Sequence, residues 1–231
     1  MGYYWLYYLG IFGAYWLVDH PAVLVGLGVM ILLRRWIPDP WVLLRTFGRI
    51  RALREQIAAN PANVTARRDL ARIYLERLRP GAALKLVDQA RERDRDSAEL
   101  LFLRGLALHE TGKHEEALGP LVEAVQVDAR VGFGEAFRVA GDALSQLGRH
   151  QEAIDAYDRY LEKNSSSIEG HVKVALAHHR AGEAQEAKDA LREASRTWSA
   201  IPGYTKRKQI TQRWPSAGVR EGAKFSFPST K

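Results

Sequence analysis

The sequence predicts an all-α solenoid of about four helix-pair repeats, preceded by an apolar N-terminal segment. A pattern of small and apolar residues recurs with a period close to 34 residues, in units that begin at residues 64, 98, 134 and 168. Residues 3–18 carry no charge, and a second apolar run follows them and ends at Leu33. One helix pair cannot bury its apolar face alone, so repeats of this length stack into a solenoid.

The unit that begins at Ala98 shows the pattern most clearly. Its residues at relative positions 4, 8, 11, 15, 20, 24 and 27 are Leu101, Gly105, Leu108, Gly112, Ala117, Leu121 and Ala124. Small residues at positions 8 and 20 let two antiparallel helices approach closely, and glycine at position 15 suits a left-handed helix end. Gly148 and Gly182 occupy position 15 in the next two units, whereas the first unit has Arg79-Pro80-Gly81 at its turn.

The pattern resembles the tetratricopeptide repeat family over residues 64–201, in units 64–97, 98–131, 134–167 and 168–201. The resemblance implies a protein-binding role in which the first helix of each unit lines a groove. It places nine candidate partner-binding residues there: Arg68, Arg72, Phe102, Leu103, Leu106, Arg138, Lys173, His179 and Arg180. We predict that the apolar members anchor a partner segment and that the basic members steer its acidic residues towards them.

Residues 1–36 are predicted to form a retained transmembrane anchor, because basic residues follow the apolar run rather than precede it. Two geometries fit: a hairpin of two short helices around Asp19-His20-Pro21, or one helix from about Phe12 to Leu33. The hairpin is favoured, because a single helix places charged Asp19 in hydrocarbon at a cost of roughly 2.5–3.5 kcal/mol. The small residues that would let the two arms touch are Gly10, Ala14, Ala22 and Gly26. A hairpin buried in the core of a soluble protein is the alternative.

Six arginines follow the apolar run: Arg34, Arg35, Arg45, Arg49, Arg51 and Arg54. The positive-inside rule therefore predicts an integral protein of the bacterial inner membrane, with the repeats facing the cytoplasm. The first four of these arginines are candidates for contact with anionic lipid headgroups, and a solvated helix face is the alternative.

Two further segments flank the repeats. Residues 37–63 are predicted to form an amphipathic capping helix, whose apolar face contains Val42, Leu43, Phe47, Ile50, Leu53 and Ile57. Residues 202–231 carry seven basic groups and one acidic group, which predicts a basic cap and a flexible tail. The repeats hold 21 basic and 23 acidic residues, a balance that argues against a specific nucleic-acid surface.

The composition argues against catalysis. The chain has no cysteine, which excludes disulfides, thiol nucleophiles and Cys-ligated zinc. His171, His178 and His179 do not share a helix face with other ligands, so we predict no metal, no cofactor, no small-molecule substrate and no enzyme. The predicted function is a membrane-tethered protein-interaction scaffold that aids assembly or localisation of a membrane-associated complex. The alternative is a permanent subunit of such a complex, packed through its hairpin.

Overall fold

The structure, a computed structural model, describes residues 40–202, with side chains from residue 42 onward. Over this range the chain forms nine α-helices and one short 3-10 helix, Val131–Gly134. The α-helices are α1 Pro40–Ala59, α2 Val64–Glu76, α3 Pro80–Arg91, α4 Ala98–Glu110, α5 His114–Val127, α6 Glu135–Gln146, α7 His150–Lys163, α8 Ile168–Ala181 and α9 Ala184–Ala200. Helices α2 to α9 form four consecutive pairs, units 1 to 4, and the predicted all-α solenoid is confirmed.

Polar side chains and turn residues mark where several helices begin. The side chain of Asn63 accepts a hydrogen bond from the backbone N–H of Ala66 at 2.9 Å, and Ser167 accepts one from Gly170 at 3.1 Å. Such caps satisfy backbone donors that the first helical turn leaves unpaired. Pro80 begins α3, where its missing N–H loses no intrahelical bond.

The first helix of each unit ends at a left-handed residue. Gly112, Gly148 and Gly182 have φ of 82°, 76° and 86°. In unit 1 the equivalent position holds Leu78, which adopts φ of 56° although its side chain disfavours that conformation. The left-handed turn is therefore common to all four units, even where glycine is absent.

Close approach within a unit occurs at relative position 8, as the pattern predicts, and the nearest atoms there belong to the side chain at position 24. A Cβ atom on Gly105 would lie 2.5 Å from Leu121 Cγ, and one on Gly141 would lie 2.5 Å from Tyr157 Cε1. The small residues at position 20, Ala117 and Ala153, are fully buried. These contacts continue into three apolar clusters along the stack, centred on units 1, 2 and 3.

Helix α1 packs on α2, but the predicted apolar face is partly wrong. Phe47 is 72% exposed, whereas Thr46 is 1% exposed. Arg77, at the end of α2, explains the difference because its guanidinium donates to Thr46 Oγ1 at 2.8 Å and to the Leu43 carbonyl at 2.6 Å. The helix therefore rotates a hydroxyl inward with Ile50, and Phe47 turns to solvent.

None of the helices between residues 40 and 202 is long and apolar enough to cross a membrane. This finding contradicts the predicted location in the bacterial inner membrane with cytoplasmic repeats. The corrected description is a helical repeat domain without a membrane-spanning helix in that range. The predicted hairpin of residues 1–36, with its packing residues Gly10, Ala14, Ala22 and Gly26, lies outside the described residues, as do Arg34, Arg35 and the tail from residue 203.

Candidate protein-binding surface

The first helices of the four units, α2, α4, α6 and α8, contact one another through side chains and form one continuous surface, the inner face. We call the contacts between successive first helices seam 1–2, seam 2–3 and seam 3–4. All nine predicted partner-binding residues lie on these helices. Their exposure and their partners differ strongly from seam to seam.

Seam 1–2 is closed by ion pairs that remain half exposed. Glu99 on α4 accepts from Arg68 at 3.0 Å and also pairs with Arg72. Arg68 additionally donates to Asp69 at 2.9 Å. The two arginines that were predicted to attract an acidic partner therefore already have carboxylates of this chain beside them.

Seam 2–3 is apolar, but it is narrower than predicted. Leu103 is only 2% exposed and belongs to the core around unit 1. Phe102 is half-buried and packs against the clusters of both unit 1 and unit 2. Leu106 is half-buried against the second cluster. The apolar surface that a partner could contact therefore consists of parts of Phe102 and Leu106.

Seam 3–4 is organised around the buried carboxylate of Asp142 on α6. Asp142 Oδ2 accepts from Arg138 at 2.9 Å, and Oδ1 accepts from Lys173 Nζ at 2.6 Å and from the Tyr157 hydroxyl at 2.8 Å. The Arg138 and Asp142 side chains are 8% and 6% exposed. Arg138 is thus a buried structural group, and its predicted role as an accessible steering charge is corrected.

Two glutamates complete the cluster around Asp142. Glu135 Oε2 accepts from Arg138 Nε at 2.6 Å. Glu169 Oε1 lies 3.7 Å from both Arg138 and Lys173, and this buried oxygen has no hydrogen-bond partner among the described residues. Both carboxylate oxygens of Asp142 therefore accept hydrogen bonds, whereas Oε1 of Glu169 accepts none. A buried polar atom without a partner is destabilising.

The pKa values of the cluster follow from burial and from these neighbours. Burial alone would raise the pKa of Asp142, but Lys173 and Arg138 outweigh it and hold that pKa below its usual value. Burial, reinforced by Asp142, raises the pKa of Tyr157, so its hydroxyl remains a donor. Burial raises the pKa of Glu169, because two cations at 3.7 Å do not replace its lost hydration.

A histidine pair borders the same cluster. The Nδ1 atoms of His109 on α4 and His114 on α5 lie 3.2 Å apart, and His109 is 3% exposed. One ring must donate and the other accept, so both cannot be charged in this arrangement. Burial lowers the pKa of His109 to about 4 and also lowers the pKa of His114.

The remaining predicted contact residues lie near the edges of the described domain. His179 is exposed, and Arg180 donates to Ser145 Oγ at 2.8 Å. Of the predicted lipid-contact arginines, Arg49 is exposed and Arg45 lies 3.9 Å from Glu76. Among residues 40–202 no group of three or more potential metal-ligating side chains is present, and the absence of a cofactor stays a prediction.

The sequence carried a signal for these ion pairs that position-by-position assignment missed. Units 2, 3 and 4 each have glutamate at relative position 2: Glu99, Glu135 and Glu169. Arginine stands at position 5 of units 1 and 3, and in both cases it approaches the glutamate of the next unit. Seam 2–3 has Phe102 at position 5 instead, which makes the charged seams alternate with an apolar one.

The tetratricopeptide repeat family matches residues 68–132, 127–168 and 138–201. The chain belongs to the tetratricopeptide repeat family. Repeats of this family form extended concave binding surfaces and mediate protein–protein interactions. Small glutamine-rich tetratricopeptide repeat-containing protein 2 of Mycosarcoma maydis is 32% identical over 87 residues, 38% of this chain and 24% of that protein. The match thus spans about a quarter of the length of that relative.

Several solved structures share the architecture. A crystal structure of MamA aligns with a TM-score of 0.62 at 24% identity, over 71% of this chain and 94% of MamA. MamA from Desulfovibrio magneticus RS-1, residues 41 to the end, aligns at 0.63 with 13% identity, over 72% and 99%. YrrB, described as a TPR protein with an unusual peptide-binding site, aligns at 0.58 with 16% identity, over 79% and 96%. These low identities show the shared fold alone.

Proposed function

We propose that this tetratricopeptide protein is a non-enzymatic scaffold that holds an extended segment of a partner protein on its inner face. The observation that carries the proposal is the apolar surface of Phe102 and Leu106 at seam 2–3. It lies between two seams whose charged groups are neutralised within the chain. Such a strip offers apolar area that the domain does not itself cover.

The ion pairs change the chemistry expected of the partner segment. Arg68, Arg138 and Lys173 each face a carboxylate of this chain, so a partner carboxylate would have to displace one at a desolvation cost. The partner's affinity at seam 2–3 therefore comes from apolar side chains rather than from steering by these three cations. The description of YrrB as peptide-binding supports the idea that this fold accommodates an extended segment.

A scaffold of this kind assists assembly by holding one protein while the partner's other surfaces remain available. The described helices supply the holding surface, and no chemical step is needed for the role. The proposal therefore makes one central claim, which is that binding depends on the apolar strip of seam 2–3.

Selection of binders from a displayed library of random peptides tests the proposal with the full chain. Selected peptides should bind the wild-type protein and lose about tenfold or more affinity towards Leu106→Glu. The reason is that a bound peptide would desolvate the new carboxylate. Fluorescence anisotropy with the selected peptides measures the change.

Val122→Glu is the matched control, because it makes the same kind of change on α5 of the same unit, where Val122 is 48% exposed. Circular dichroism establishes that both variants remain folded. Equal affinity of wild-type protein and Leu106→Glu, or equal losses in the two variants, would contradict binding at the inner face.

A further inference from the structure

The connection between units 2 and 3 presents an aromatic side chain to solvent. Phe133 is 87% exposed, the most exposed of the large hydrophobic side chains described. It lies in the short 3-10 helix Val131–Gly134, where Gly132, Phe133 and Gly134 all have positive φ, of 58°, 57° and 84°. We call residues 130–134 the lip, because they precede α6 at the edge of the inner face.

The lip is held firmly by the units on either side. Asn164, at the end of α7, donates from Nδ2 to the Phe133 carbonyl at 2.7 Å. Val131 is buried in the unit 2 cluster. A Cβ atom on Gly132 would lie 3.2 Å from the ring of Phe102, and one on Gly134 would lie 3.3 Å from Lys163. The lip therefore continues outward from the apolar strip of seam 2–3.

The isolated domain gains little from phenylalanine at this position. The left-handed conformation is unfavourable for a residue with a large side chain and suits glycine or asparagine. The exposed ring also buries almost no area against the rest of the domain. A strained, well-held residue with an exposed aromatic side chain has the properties of a preorganised binding anchor.

The charges beside the ring indicate what kind of segment it would meet. Arg130 and Lys163 make no side-chain ion pair with any residue in the range 40–202. The nearby carboxylate of Asp128 accepts from the backbone N–H of Arg130 at 2.8 Å, and Glu135 is paired with Arg138. Two cations thus remain available around the lip, in contrast to the neutralised cations of seams 1–2 and 3–4.

We propose that the lip is a docking point for an extended acidic segment of a partner protein, which packs an apolar side chain on Phe133 and sets carboxylates beside Arg130 and Lys163. This inference rests on the proposed function, since the same segment continues over the strip of Phe102 and Leu106. It adds the chemistry of the partner segment, which is an apolar residue with acidic neighbours. This residue adjoins the part of the segment that lies on the inner face.

Peptides selected from the random library against the full chain are the probe. Their sequences should be enriched in an apolar residue flanked by Asp or Glu, and Phe133→Asn should weaken binding about tenfold or more. Phe133→Asn should leave the melting temperature unchanged or raised, because asparagine tolerates the left-handed backbone. Phe47→Gln is the matched control, because Phe47 is 72% exposed on α1, away from the lip, and it should leave binding unchanged.

The charges are tested separately with the double variant Arg130→Glu and Lys163→Glu. It should slow association with the acidic peptides, and the effect should shrink at high salt, because exposed charges act through screened long-range attraction. If the peptides lose affinity towards Leu106→Glu but bind Phe133→Asn as well as the wild-type protein, the lip is not a docking point. The proposed function would stand in that case. Peptides insensitive to both changes would overturn both, and a selection without acidic enrichment would overturn the partner chemistry.

Discussion

Seam 1–2 and seam 3–4 use the same repeat positions in opposite ways. At seam 1–2, Arg68 and Glu99 pair at 3.0 Å with side chains 30% and 28% exposed. At the equivalent positions of seam 3–4, Arg138 and Glu169 lie 3.7 Å apart with side chains 8% and 25% exposed. Arg138 pairs instead at 2.9 Å with Asp142 of its own helix, a carboxylate whose side chain is 6% exposed and which also accepts from Lys173 and Tyr157. Seam 1–2 therefore contains a solvent-exposed ion pair, and seam 3–4 contains a buried network.

The difference shows that the environment, rather than the repeat position, sets the role of a charged residue. An exposed pair contributes little because water and salt compete with it. A buried pair depends on every member, since removal of one leaves the others desolvated and unpaired. Units 3 and 4 are therefore stabilised by a network that tolerates little change, whereas units 1 and 2 rely on apolar packing.

The largest expected effect is at the centre of the buried network. Asp142→Ala should lower the free energy of unfolding by about 3–5 kcal/mol, because Arg138, Lys173 and the Tyr157 hydroxyl lose their shared acceptor. Arg72→Ala, at the same repeat position in unit 1, should cost less than about 1 kcal/mol. Urea denaturation compares the two, and similar losses would erase the distinction between the seams.

The second effect is a loss of stability in acid that arises from the buried side chain of His109. The folded-state pKa of His109 is about 4, below its unfolded value of 6.5, so the proton binds better to the unfolded chain. This contribution is fully present above about pH 6.5 and should be lost as pH falls towards 4, by about 3 kcal/mol. Glu169, whose pKa is raised, acts in the opposite direction.

The free energy of unfolding is measured from pH 7 to pH 4 in the wild-type protein and in His109→Gln. The difference isolates the contribution of His109, because Glu169 is common to both proteins. The variant should show the shallower dependence. Parallel curves would mean that His109 is accessible to protons in the folded state.

The third effect compares two close approaches. Gly141→Ala should destabilise the domain by about 1–3 kcal/mol, because its Cβ meets the rigid ring of Tyr157, which is also hydrogen-bonded to Asp142. Gly105→Ala meets the Leu121 side chain at 2.5 Å and the Ala117 carbonyl oxygen at 3.2 Å. Because no hydrogen bond holds the Leu121 side chain in place, this variant should cost less. Thermal melts rank the two variants, and the reverse order would show that the network does not hold Tyr157 in place.

The smallest effect is expected from the exposed pairs. A double-mutant cycle on Arg72→Ala and Glu99→Ala should give a coupling free energy of about 1 kcal/mol or less. The coupling should fall further in about 1 M salt, where the screening length is about 3 Å. A coupling free energy that stays the same in such salt would show that the ion pairs of seam 1–2 are shielded from solvent, like those of seam 3–4.

The helices and their turns could be predicted because their signals are local. The repeat period and the position-15 glycines locate the pairs, and the first helices begin at or one residue after the predicted unit starts. The lining of the inner face could not be predicted at the same level. Exposure at Leu103 and Arg138 depends on side chains that arrive from neighbouring helices, and the exposed Phe47 reflects the hydrogen-bonding needs of Arg77.

The ion-pair network lay between these extremes. Arg68 and Glu99, Arg138 and Glu169, and Asp142 and Lys173 are each separated by 31 residues, slightly less than one repeat. That spacing places both members of a pair on adjacent first helices, so a search for opposite charges at this separation would have found them. The spacing does not distinguish a buried pair from a solvent-exposed one, because the burial of Asp142 depends on Tyr157 of a second helix.

Leu78 has a consequence for how the stack comes apart. Its φ of 56° stores strain of roughly 1–2 kcal/mol in the turn of unit 1, where the other units place glycine. In a one-dimensional array each repeat is stabilised by its nearest neighbours, so strain in a terminal repeat lowers the free energy of local opening there first. Amide protons of α2 and α3 should then exchange with solvent before those of α8 and α9, the end unit whose turn has Gly182. Of the two end units of the described repeats, we expect the one with leucine in its turn to open first.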